Sequence, residues 1–164
     1  MTMSIYAAVF TQEDGRTMVT PVVPFALTEE VRRKPGVTFA DVMAAETSEE
    51  YDALHEPNPD YIPGVHLNVS NGNAATIFRA VGLRLDEEGG PTNFPLEEVY
   101  TAITKRLNGN RPLHSRPGFA SVGGPGAQVI DCGADEAYVR RKLEAVLALV
   151  VDGGRRGASH LAVC

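Results

Sequence analysis

Residues 66–74, HLNVSNGNA, hold the densest set of side chains in the chain that could bind or transform a small molecule. Successive side chains of an extended strand point to opposite faces. His66, Asn68 and Ser70 therefore share one face, and Val65, Leu67 and Val69 share the other. An imidazole, a carboxamide and a hydroxyl in one row offer donors and acceptors without net charge. The row leads into Asn71, Gly72 and Asn73, with a helix expected to begin at Ala74 under an Asn73 cap. Free N–H groups and the dipole at a helix start favour an anion or a carbonyl oxygen. The expected ligand contacts are thus His66, Asn68, Ser70, Asn71 and Asn73. The plain alternative is a wetted strand face whose two asparagines serve only the turn and the cap.

A second segment, IDCGADE at 130–136, places Asp131 and Cys132 at the carboxyl end of a short strand before a helix. Ligands in open α/β sheets settle at such ends, so Asp131 joins the expected ligand contacts. If both strand-to-helix turns open on one edge, Asp131 would orient His66 as general acid or base. Cys132, activated by the helix dipole, would be the nucleophile of a small enzyme. Against this, Cys132 also suits a buried apolar position, and Asp131 suits a carboxylate accepting loop N–H bonds.

Other chemistries find little support. The four histidines, His55, His66, His114 and His160, lack HxH or HxxxH spacing, and Cys132 and Cys164 form no CxxC, so no metal site is expected. The GGPG stretch at 123–126 lacks the Lys-Ser/Thr of a phosphate loop, and neither GxGxxG nor GxSxG occurs. No sequence feature names a cofactor. A formal charge of −6 and the absence of Trp argue against nucleic acid, which demands a basic face. No apolar run approaches the roughly 18 residues of a membrane span. MTMSIYAAVF has no basic start and too short an apolar stretch for a signal peptide, and two cysteines fit a reducing compartment, so a soluble, cytoplasmic protein is expected.

The elements that must position these groups follow from periodicity and turn residues. At 164 residues, with 43% hydrophobic and 22% charged content, one domain spanning 1–164 is expected. Ile5–Phe10 and Thr17–Val23 flank Asp14-Gly15, a hairpin signal, and Pro21 marks the second strand as an edge. Residues 24–63 form a proline-punctuated excursion, either a lid over a site or a peripheral insertion. Within it Thr28 would cap a helix over TEEVRR, Thr38 a turn through Met43, and Thr47 with Glu50 a capping box. HEPNPDYIP would break regular structure. Gly64–Ser70 is a strand, and 74–82 a helix with Ile77, Phe78 and Val81 as its stripe. DEEGGPTN at 86–93 reads as loop. Pro95 opens a helix whose Leu96, Val99, Tyr100, Ile103 and Leu107 recur at helical spacing. Residues 110–126 read as irregular. Then come a strand at 128–132, a helix from about Asp135 that breaks near Gly153-Gly154 or Gly157, and a strand at 160–163.

That order predicts an α+β or mixed α/β fold, one mixed sheet of about five strands with helices packed on it. The C-terminal strand, helix and strand are expected to form a βαβ unit. The leading functional expectation is a small-ligand-binding domain for a polar or phosphorylated metabolite, sited where 66–73 meets the 131–132 turn. The enzyme built on His66, Asp131 and Cys132 is the first alternative. An interaction or assembly protein, including a homo-oligomer, is the second, suggested by the proline-rich segments at 57–63 and 112–125.

Overall fold

The computed structural model of the chain describes all residues other than Met1, Gly15, 87–89, His114, 123–127 and Cys132, and for 119–122 and 128–131 the backbone alone. Strand β1, Thr2–Glu13, turns through Asp14 into β2, Arg16–Pro21. Their register runs from Ala8↔Pro21 to Glu13↔Arg16, and Asp14 takes φ 50°, the left-handed backbone that an Asp-Gly hairpin turn requires. As expected, β2 is an edge that ends at its proline.

Between Val23 and Asn58 no residue is buried. Phe25–Leu27 makes one 3₁₀ turn, β3 (Val31–Arg33) follows, then α1 (Phe39–Ala44), α2 (Ser48–Ala53) and β4 (His55–Pro57). Thr38 and Thr47 cap the two helices as expected, each in a reciprocal box with Asp41 or Glu50. The Thr38 hydroxyl, with its backbone N–H, holds the Asp41 carboxyl below its ordinary pKa. The helix expected after Thr28 does not form. TEEVRR has a single apolar residue, Val31, and so no stripe to bury; its backbone pairs instead with HEP in the β3–β4 hairpin. An Arg32–Glu56 ion pair at 2.9 Å flanks that pairing. The base of this arm is tied by Asn58, whose side-chain N–H groups donate to the Ala26 and Glu29 carbonyls at 2.9 Å each.

The body is a five-stranded sheet backed by helices. Strand β5 (His66–Ser70) runs directly into α3 (Asn71–Ala80). After a loop come β6 (Thr92–Pro95) and α4 (Leu96–Leu107), then β7 (Phe119–Val122), β8 (Gln128–Asp131), α5 (Glu136–Arg155) and β9 (His160–Val163). The order is β2-β1-β9-β6, with β5 beside the first half of β1, and every pairing is antiparallel. Met3, Ile5, Ala7, Val69, Leu161 and Val163 point from the sheet into a core closed by Phe78, Val99, Ile103, Val139, Leu143 and Val146. Phe78 and Phe94 stack at 5.5 Å inside it.

Two expectations about this body are corrected. The five strands are not mixed, and the C-terminal βαβ unit is absent. Strand β8 pairs only with β7, antiparallel, in a separate hairpin. Both edges of β9 are filled, by β1 and by β6, so β8 has no place beside it. Strand β6 lies in what reads as loop because proline brackets it; at a sheet edge the missing N–H of Pro95 costs no ladder bond. Helix α5 also continues through Gly153-Gly154 to Arg155. A Cβ on Gly153 would lie 2.3 Å from the Ala7 Cβ, so this glycine is where helix and β1 touch backbone to side chain. The chain turns after it at Gly157, φ 85°.

Candidate functional site

The alternation expected for β5 holds. Register pairs Tyr6↔His66, Ser4↔Asn68 and Thr2↔Ser70 set these side chains on the sheet face away from the helices. The His66 ring lies 5.8 Å from Phe25 and 6.4 Å from Tyr6 between centroids. Its Nε2 is buried without a hydrogen-bond partner among the described residues. Burial pushes its pKa below the ordinary 6.5, against an opposing pull from the Glu29 carboxylate. Burial, and then the Cys164 thiol bonded to its hydroxyl at 3.7 Å, push the Tyr6 phenol up to about 12. Asn68 accepts from the Ser4 hydroxyl at 3.2 Å.

Past Ser70 the chain changes partner. Ser70 is the cap of α3, its hydroxyl accepting the Asn73 N–H at 3.4 Å, so the expected Asn73 cap is corrected. The helix begins at Asn71, three residues earlier than a cap at 73 requires, and the serine stands at the junction. Asn73 lies inside the first turn and faces the other way. Its side-chain N–H donates to the Tyr138 hydroxyl at 3.3 Å, and its oxygen accepts from Arg116 at 3.1 Å. Arg116 in turn exchanges both backbone bonds with Ala134, at 2.9 and 2.8 Å. The start of α3 therefore does meet the segment after β8, through Arg116 and Tyr138, while His66 packs elsewhere. Asp131 closes β8 opposite Phe119 and only its backbone is described; Cys132 and His114 lie outside the described residues.

Beside the first turn of α3 opens a cleft of about 670 Å³, lined among others by Met3, Asn71, Gly72, Arg79, Arg84 and Asp86. Asn71, Ala75 and Arg79 recur every four residues and so form one wall from one helix face. The Asn71 side-chain oxygen is buried with no hydrogen-bond partner among the described residues. Arg79 and Arg84 have no ion-pair or hydrogen-bond partner among the described residues. Arg116 reaches the same turn: a Cβ on Gly72 would lie 3.2 Å from its guanidinium, and the glycine leaves that room. Arg116 thus stands at the first turn of α3, while Arg79, in the last turn, and Arg84 line the same cleft farther along. Asp86 is the carboxylate on the wall.

Of the five expected contacts whose side chains are described, Asn71 alone lines this cleft. Sequence reasoning missed Arg79, Arg84 and Arg116. The four-residue spacing from Asn71 to Arg79 is a signal that could have found the first; the other two lie in loops with no periodicity. Among the described residues no three His, Cys, Asp or Glu side chains converge on a metal position, and no helix is long and apolar enough to cross a membrane. No protein-family model, curated protein or solved structure matches this chain.

Proposed function

We propose that the chain binds a small anionic ligand, of the class of phosphorylated metabolites, in the cleft along α3. The observation that carries this reading is the pair of unpartnered arginines, Arg79 and Arg84, in one cleft with the first turn of α3. A guanidinium offers a planar fork of donors suited to phosphate oxygens, and the helix start adds N–H groups and a positive end. The cleft volume of about 670 Å³ lies within the range that small-ligand sites occupy. Met3, Leu83 and Leu85 give it apolar wall against which the uncharged part of a metabolite would rest.

Binding is preferred over catalysis because, among the described residues, no carboxylate or thiol hydrogen-bonds His66 to orient it as an acid or base. The reading carries with it the cytoplasmic setting expected from the cysteine usage.

Titration calorimetry with inorganic phosphate and with a sugar phosphate tests the proposal. Salt-sensitive binding is expected, weakened on the order of tenfold for each of Arg79→Ala and Arg84→Ala. No heat at millimolar ligand, or affinity indifferent to both substitutions, would remove it.

A further inference from the structure

Residues 24–57 fold without burying a single side chain. Helices α1 and α2 are six residues each, far below the roughly 12–15 residues at which an isolated helix becomes even marginal. Their caps satisfy backbone groups but supply no apolar contact. Phe39 and Met43, one turn apart on α1, are each 69% exposed, and Tyr51 on α2 is 46% exposed. Phe39 and Met43, side by side on one helix face, leave an apolar pair open to a partner.

The tip has a distinct charge. Residues 38–53 contain Asp41, Glu46, Glu49, Glu50 and Asp52 and no lysine or arginine. Its complement lies on the body of the same chain. At the end of α4 a cleft of about 800 Å³ is lined by apolar Val81 and Ala102 and by Lys105, Arg106 and Arg111, with no acidic residue among the described residues of its walls. The cleft is held in shape: Arg106 donates to the Ala80 and Arg111 carbonyls at 2.9 Å and also to the Pro112 carbonyl, tying α3 to the loop after α4. Its charge persists while its geometry is fixed, and Lys105 and Arg111 stand exposed beside it.

We infer that the arm tip of one copy docks into the α4 cleft of a second copy, so that the chain assembles by exchanging arms. Phe39 and Met43 enter against Val81 and Ala102, and the tip carboxylates face Lys105 and Arg111. The exchange is reciprocal in a two-fold dimer, because each copy carries both the tip and the cleft. Complementary charge sets partner and register, and the apolar pair supplies the buried contact.

Sedimentation velocity and light scattering of the full chain across a concentration series test this. A dimer is expected that weakens as salt rises. Phe39→Ala with Met43→Ala, and separately Lys105→Glu with Arg111→Glu, should each weaken it roughly tenfold or more. All four side chains are on the surface or at the cleft mouth, and an unchanged circular dichroism spectrum confirms that each variant folds. Adding Glu49→Lys and Asp52→Lys to the Lys105/Arg111 reversal should restore the dimer. A monomer at every concentration, a dimer indifferent to either pair, or a reversal that the charge swap does not restore overturns the inference.

Discussion

Helices α1 and α4 both carry apolar residues one turn apart, and they end in opposite situations. Val99 and Ile103 of α4 are 0% and 1% exposed, whereas Phe39 and Met43 of α1 are each 69% exposed. Local chemistry does not account for the contrast. The α1 start is the better made of the two, a full capping box at Thr38, while α4 begins at Pro95 with no side-chain cap bond. What differs is what lies opposite: α4 packs on a sheet and α5, and α1 buries none of its residues against the described chain. Capping determines where a helix starts, and burial determines how much that helix contributes to stability.

The sharpest way to break this comparison is to truncate one ring on each side. Phe78→Ala, in the stacked core pair with Phe94, should cost about 3–5 kcal/mol in urea unfolding. Phe39→Ala should stay within about 0.5 kcal/mol of wild type in dilute protein. Similar losses at both positions would mean that the arm belongs to the core after all.

A smaller effect is expected at the junction. Asn58→Ala leaves the Ala26 and Glu29 carbonyls without their donor, at a cost of about 1–3 kcal/mol. Hydrogen exchange should then accelerate across 24–57 while α5 amides keep their protection. Equal acceleration in α5 would show arm and body opening as one unit.

The smallest effect belongs to the contact where the arm begins, at His66 beneath Phe25. Its folded pKa is depressed, so below about 6.5 the unfolded chain binds more protons than the folded one. Stability is therefore complete above that value and declines as pH falls through it towards the folded pKa. His66→Gln should flatten that part of a melting-temperature profile; an unchanged slope would assign the acid sensitivity to another group.

The β1–β2 hairpin was legible because Asp-Gly between β-branched runs has one well-matched turn. The stripes of α3 and, Tyr100 apart, of α4 were legible because helical spacing of aliphatic residues has one economical reading. So were the cap at Thr38, the capping box of Thr47 with Glu50, and the alternation of β5 that sets His66, Asn68 and Ser70 on one face. Partnering was not legible. Nothing in PTNFP marks it as the strand that fills the far edge of β9, and nothing in QVID says that β8 is left outside the sheet. The candidate site divides the same way. Asn71 and a helix following β5 are local and were legible, though the helix starts three residues before the expected Ala74; Arg84 and Arg116 arrive from loops, and their positions depend on how the sheet is closed. Spacing along the chain acts through a few bonds of backbone, so sequence by itself determined turns, caps and faces. Which faces meet is decided by the competition of all strands and helices for one core, and that competition is resolved only in three dimensions.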